Sequence, residues 1–270
     1  MAATSHLLPG IGLVIGSATG IGKSVSFAFA RAGVSGLFMA DINEKDMTAT
    51  ANDIRQEIPE LKIVTHRVDI GDEASCIDCV QTAVKTFGRI DYVLNNVGIG
   101  ATNTPTHEQT GAHLATVLNI NFVGLWNCHR EQIKQMLTQE ILQLPNGRGN
   151  RGVITNTASI MGLVGAPPGH SPYSASKHAI IGLTKTEAAT YSKEGIRINS
   201  VCPGYCSTAI LGEKGSQSRT ELEAGVVTLV PMGRLGETDE IADSVVFLSS
   251  HMASYITGSS LVVDGGYTAV

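Results

Sequence analysis

The chain has 270 residues, of which 43% are apolar and 16% charged, with a formal net charge of -5. That composition supplies a packed core and excludes a largely disordered chain. The 19 Lys and Arg residues are scattered, so neither nucleic acid nor an anionic membrane surface is an expected partner.

The N-terminal residues show no charged leader ahead of an apolar run, and no apolar stretch reaches bilayer-spanning length, so a cytoplasmic protein is expected. Five cysteines, an odd number, suggest reduced thiols. Cys76 and Cys79 form a C-x-x-C, but they sit in a helical pattern without a second pair, and no metal is expected there.

Short β-branched runs alternate with amphipathic stretches along the chain. Residues 12–16 read as a first strand, followed by a helix over 20–32 with Val25, Phe29 and Ala32 on one face. Residues 36–41 form a second strand, and Asn43 is placed to cap a helix that ends before Pro59. Residues 61–68 read as strand three. A helix over 72–87 opens with two acids that suit its positive end, and 90–95 is strand four. A long helical pattern spans 111–139, and a Gly- and Pro-rich loop covers 144–152. Then come a strand over 152–158, a helix over 172–192, a strand over 196–202, a helix over 239–248 and a strand over 260–264. The alternation predicts a single α/β domain over 1–270, a Rossmann-like doubly wound parallel sheet of about seven strands with helices on both faces. Residues 1–9 are expected to be flexible.

Between the first strand and the first helix stands Gly16-Ser17-Ala18-Thr19-Gly20-Ile21-Gly22. Small residues there let the backbone approach a pyrophosphate, and the helix N-terminus offers it N–H groups and partial positive charge. The same glycines would also serve a plain tight turn. Asp41 ends the second strand 21 residues after Gly20, where a carboxylate can accept from the ribose hydroxyls and repel a 2′-phosphate. No Lys or Arg stands at Ser17 or directly after Asp41, so NAD is expected over NADP. Asp69 can either touch the adenine or cap the helix beginning near Asp72. Ile42 and Ile70, beside these acids, join the expected cofactor site, as do Asn96 and Gly98 at the end of strand four.

Taken in order, these segments resemble the short-chain dehydrogenase/reductase family. The glycine loop is similar to the family's T-G-x-x-x-G-x-G, with Ile15 in place of Thr, and Asn95-Asn96-Val97-Gly98 to its N-N-A-G. Asn121 lies in a segment resembling the helix that bears the family's active-site asparagine. Ser159 matches the active-site serine, and Tyr173 with Lys177 matches Y-x-x-x-K, 14 residues after Ser159. Asn199 to Gly204 resembles N-x-V-x-P-G, placing Pro203, Gly204 and Thr208 at the nicotinamide.

The resemblance implies an NAD-dependent oxidoreductase acting on a secondary alcohol or ketone, with Asn121, Ser159, Tyr173 and Lys177 as the catalytic set. Tyr173 would exchange the proton and Ser159 orient the oxygen. The charge of Lys177, one helical turn away, would lower the tyrosine's pKa. Asn121 would hold a water linking Lys177 to solvent, and Tyr173 and Lys177 would also touch the cofactor. The family also implies a homotetramer, and the apolar Ile180, Ile181, Leu183, Ala188 and Ala189 suggest helix burial at an interface. The expected substrate pocket draws on 98–101, Ile160, Met161, Val164, 166–170 and 205–230, mostly apolar or small, which favours a cyclic or apolar substrate. Residues 211–223 read as either a mobile lid or an ordinary surface loop. A cofactor-binding redox sensor and a non-redox isomerase or cyclase on the same scaffold are the alternatives.

Overall fold

The computed structural model describes residues 7–100, 102, 104–144, 147–165, 167–208 and 217–270. Seven parallel strands form one sheet in the order β3-β2-β1-β4-β5-β6-β7. They are β1 (Ile11–Ile15), β2 (Gly36–Asp41), β3 (Lys62–Arg67), β4 (Tyr92–Asn95), β5 (Gly152–Thr157), β6 (Ile196–Pro203) and β7 (Ser260–Val263). This is the Rossmann-like doubly wound sheet that the alternation predicts. The central strands are buried on both faces, which explains their apolar, non-alternating sequences.

Helices α1 (Gly20–Arg31), α2 (Glu44–Glu57) and α8 (Thr238–Ser249) cover one face of the sheet, packing Val25, Phe29, Met47, Ile54, Ile241 and Val245 against Leu37, Leu94 and Val153. Helices α3 (Glu73–Phe87), α5 (Leu125–Thr138) and α6 (Ser171–Tyr191) cover the other, where Val80, Cys128, Ile133 and Ala188 meet Leu13, Val93 and Ile154. Cys76 and Cys79 are buried among these groups as free thiols. Asn43 caps α2 by accepting from Asp46 N.

Two departures from the sequence expectations are informative. The pattern over 111–139 is not one helix. It is α4 (Gly111–Leu118), a wider π turn over Asn119–Gly124, and α5. The wide turn lets Gly124 press onto β3's exit, so closely that an added Cβ would stand 2.0 Å from Ile70 O. Period counting misses it because the segments on either side are both helical and α4 is only two turns long, too short to fix the phase of its apolar stripe. The stretch over 211–223 is not all irregular loop either. Its second half belongs to α7 (Gln217–Val227), a short helix whose polar sequence hides its period, and 211–216 lies outside the described residues.

The apolar residues of α6 do less at the surface than the sequence suggests. Ile180, Ile181 and Ala188 are buried within the chain's own core. Exposed apolar side chains gather instead on α4, the wide turn and α5, at Leu114, Val123 and Trp126. Among the described residues, no helix is long and apolar enough to cross a membrane.

Candidate active site

β1 and β4 lie side by side at the sheet's centre, with Ile15 paired to Asn95. The chain order reverses here, opening a crevice beyond the strands' carboxyl ends. Gly16 leaves β1 with φ of 86°, a conformation that side chains rarely tolerate, and an added Cβ would meet Val97 N at 3.0 Å. Asn96 Nδ2 donates to Gly16 O at 3.3 Å, fixing the loop to β4. Gly22 packs so tightly that a Cβ there would lie 1.8 Å from Gly16 O.

Ser17 does not point into the crevice. It is fully buried, and its hydroxyl donates to Ala40 O at 3.2 Å, so it offers backbone alone. Thr19, at the N-cap of α1, is exposed and makes no side-chain bond to the helix, and no acid occupies the first turn. Ile21 packs partly into the core behind the loop. The N–H groups at the start of α1 are thus uncapped by side chains and approached only by small residues, which fits a pyrophosphate.

Asp41 lies half-buried at the end of β2. One oxygen accepts from Ala18 N at 2.9 Å and the other from Asn43 N at 3.0 Å. A carboxylate has about four acceptor positions, so two remain for ribose hydroxyls. Ile42 beside it is exposed, an apolar surface suited to an adenine ring. Asp69 resolves the two readings left open by the sequence in one respect. It accepts from Gly71 N at 3.0 Å, whereas Asp72 is the residue that caps α3. Ile70 is buried under the wide turn.

Across the crevice, Gly204 leaves β6 just after Pro203 and donates its N–H to Val263 O at 2.9 Å. A Cβ on Gly20 would meet Thr208 Cγ2 at 3.5 Å, so Thr208 forms the wall opposite the glycine loop. Gly98 sits at the floor, where a Cβ would come within 3.4 Å of Asn121 Oδ1 and 3.5 Å of Lys177 Nζ. The uncapped start of α1, Asp41, Gly98, Gly204 and Thr208 thus stand around the carboxyl ends of the central strands, a chemistry that fits a dinucleotide, whereas the side chains of Ser17, Ile21 and Ile70 turn to the core.

Ser159, Tyr173, Lys177 and Asn121 come together at the same end. Ser159 follows β5 in extended backbone, and its Oγ accepts from Met161 N at 3.2 Å. Tyr173 stands in the first turn of α6, near enough to Ser159 for the serine hydroxyl to favour its phenolate. Lys177, one turn on, is buried, with Nζ 5.5 Å from the centre of the Tyr173 ring and donating to Thr157 O at 2.8 Å.

The electrostatics differ from the sequence expectation. Burial pushes the Tyr173 phenol above its ordinary value, and the Ser159 hydroxyl only partly offsets this. The Lys177 ammonium, 5.5 Å from the ring centre, does not outweigh that burial. Burial instead holds the Lys177 ammonium down to about 8, with Cys202 acting weakly the other way.

Asn121 occupies the wide turn and is fully buried. Its Oδ1 accepts from Ile99 N at 2.8 Å, and its Nδ2 donates to Ile99 O at 3.0 Å and Ser176 Oγ at 3.2 Å. Both amide hydrogens and one lone pair of Oδ1 are thus engaged in tying the β4–α4 loop to α6.

Sequence reasoning missed Cys202 and Ser174. Cys202 lies beneath the site, hydrogen-bonded by the Ser159 backbone and near Lys177. Its place inside the N-x-V-x-P-G segment is the signal that could have found it. Ser174 Oγ donates to Met161 O at 2.7 Å, docking the tyrosine's turn onto the serine's segment. Of the expected substrate-side residues, Ile160 and Met161 turn inward at 2% and 9% exposure, while Leu163 next to them is 39% exposed. Residues 101, 166 and 209–216 of that set lie outside the described residues.

Comparison with known proteins agrees with this geometry. A family model described as enoyl-(acyl carrier protein) reductase matches residues 16–268. A short-chain dehydrogenase, fogB, of Aspergillus ruber (strain CBS 135680) is 37% identical over 277 residues, covering 97% of each chain. Cyclohexanol dehydrogenase of Acinetobacter sp. (strain SE19) is 36% identical over 261 residues, covering 96% of this chain and 95% of the other. The crystal structure of levodione reductase matches with a TM-score of 0.85 at 30% identity, covering 98% of this chain and 99% of that one.

Proposed function

We propose that this chain, which belongs to the short-chain dehydrogenase/reductase family, is an NAD-dependent enzyme that interconverts a cyclic or apolar secondary alcohol and its ketone. The observation that carries the reading is that Tyr173, Ser159 and Lys177 converge at one end of the sheet, with the Lys177 ammonium buried one turn beyond Tyr173 and 5.5 Å from its ring centre. A bound nicotinamide supplies or accepts the hydride.

The chain's own residues handle the oxygen and its proton. In reduction, the Tyr173 hydroxyl donates its proton to the substrate oxygen as negative charge develops there, and Ser159 Oγ holds that oxygen. In oxidation, the phenol oxygen takes the proton back. The raised pKa of Tyr173 keeps the phenol protonated near neutral pH, which suits donation. Lys177 remains mostly protonated below about 8, and its charge stabilises the phenolate left when Tyr173 gives up its proton. With both Asn121 amide hydrogens engaged, a water in the relay would meet the second lone pair of its Oδ1 or its main chain.

The preference for NAD rests on Asp41, whose carboxylate would repel a 2′-phosphate. The cyclic substrate rests on apolar neighbours such as Ile99 and Leu163, and on a relative named for cyclohexanol. We further propose a homotetramer, supported by the exposed Leu114, Val123 and Trp126. A redox sensor would have no use for the assembled proton donors.

The test is NADH absorbance with a panel of cyclic ketones, cyclic alcohols and an enoyl thioester, run in parallel with NADPH. Turnover of a cyclic ketone or alcohol with NAD(H) supports the reading. Reduction of the enoyl thioester alone, or product formation without cofactor turnover, contradicts it.

A further inference from the structure

The first turn of α6 carries Tyr173 but has no cap of its own. His170, which precedes it, makes no side-chain bond to the helix's free N–H groups, and its Nδ1 instead meets Pro168 O at 3.1 Å. Just before it, buried Gly169 turns the chain with φ of 87°. The hold on this turn comes from a different loop. Gln109 Nε2 donates to Gly169 O at 3.0 Å and to Thr104 O at 2.6 Å. A second link joins Thr106 Oγ1 and Ser171 Oγ, 3.0 Å apart. On the opposite side, Ser174 docks on Met161 O, in the segment that follows Ser159.

Tyr173's turn is therefore gripped from two sides. One grip is the serine segment and the other is the loop between β4 and α4. That loop is pinned at its beginning by Asn121, through both backbone groups of Ile99, and at its end by Gln109. Both hydrogens of the Gln109 amide are used, one on each loop, so a single side chain sets the spacing between them.

We infer that Gln109 is a positioning residue that fixes the placement of Tyr173's turn, and with it one wall of the substrate cleft, relative to Ser159. The inference rests on the oxidoreductase reading above, in that the turn it positions is taken to deliver the proton. Gln109 touches neither the glycine loop nor Asp41, so its effect falls on the ketone and not on the dinucleotide. A small displacement of a proton donor is costly to rate, because the reacting atoms must be aligned.

Three proteins test it: the parent, Gln109→Ala and Gln109→Glu, assayed with NADH and cyclohexanone. In Gln109→Ala, kcat is expected to fall about tenfold, with a raised KM for the ketone and NADH affinity within about twofold of the parent. Gln109→Glu replaces both donors with an acceptor facing two carbonyl oxygens. It is expected to be equally impaired at pH 8 and to recover partly as pH falls and the carboxyl gains a proton, a recovery absent from the parent. Parent-like kcat and KM in both variants would overturn the inference, as would loss of NADH affinity and melting temperature in step with activity.

Amide hydrogen exchange provides a reading independent of turnover. Exchange over 169–175 is expected to speed up in Gln109→Ala while that over 20–31 stays unchanged. Unchanged exchange over 169–175 overturns the inference even if the parent reduces no ketone. A parent that reduces no ketone, with faster exchange in the variant, leaves the clamp standing and refutes the enzymatic reading.

Discussion

The dinucleotide half of the cleft and its catalytic rim are built in different ways. The half formed by β1, β2 and β3 holds its shape through close backbone approach and carboxylates that cap backbone N–H groups: Gly16 against Val97, Gly22 against Gly16 O, Asp41 to Ala18 N, Asp72 over α3. The rim is held mainly by side chains that bridge separate loops and helices, such as Asn121 to Ile99 and Ser176, Lys177 to Thr157 O, and Gln109 to Gly169 O. Backbone approach tolerates almost no substitution, but it leaves the ligand contact to groups every residue has. Side-chain reach costs more conformational entropy to fix, yet each bond can be altered singly. The first construction suits a ligand that stays the same, and the second suits a site whose substrate can change while the proton chemistry does not.

Gly22→Ala attacks the first construction where it is tightest. With no room beside Gly16 O, the loop must move, and a loss of about 3 kcal/mol in stability is expected together with a fall in NADH affinity of about tenfold or more. Thermal melting and NADH titration check this, and a variant with parent-like affinity would show that the loop is not a cofactor cradle.

A milder change in the same half sharpens the comparison. Asp41→Asn keeps one oxygen to accept from Ala18 N but removes the charge. The ratio of kcat/KM for NADH to that for NADPH is expected to fall by about ten- to a hundredfold, the worth of a charged hydrogen bond. An unchanged ratio would mean that Asp41 serves only to shape the loop.

The smallest expected effect lies in the rim and depends on pH. The Lys177 ammonium is held down to about 8, so it loses its proton as pH rises through that value. Ketone reduction should therefore weaken by a few-fold above pH 8, the cation being present below it and lost above. In Lys177→Arg, whose guanidinium keeps its charge, the residual activity should not show that falling limb. A limb that persists in the variant assigns it to another group.

The same contrast explains what the sequence made legible. Asp41, Gly16, Gly22 and the parallel, doubly wound sheet were readable because they depend on strand–helix alternation and on residues with one clear physical use. Ser159, Tyr173 and Lys177 were readable through their spacing and through resemblance. The wide turn at Asn121 was not, since the helix before it is too short to fix the phase of an apolar stripe. Gln109 and Ser174 were not either, because the residues they meet lie at main-chain carbonyls that leave no mark in the sequence. The direction of the Tyr173 shift also escaped sequence reading, which counts charges but not burial. A lysine four residues away suggests a lowered phenol, whereas the enclosing walls raise it.

The central claim is that Tyr173 supplies the proton while the cofactor cleft stands independently of it. Tyr173→Phe removes only the hydroxyl. With NADH and cyclohexanone, kcat is expected to fall by about a thousandfold, in the range lost with a general acid, while NADH affinity measured by fluorescence titration stays within about twofold. Turnover in this variant near that of the parent would contradict the account, and so would loss of turnover accompanied by an equal loss of NADH binding.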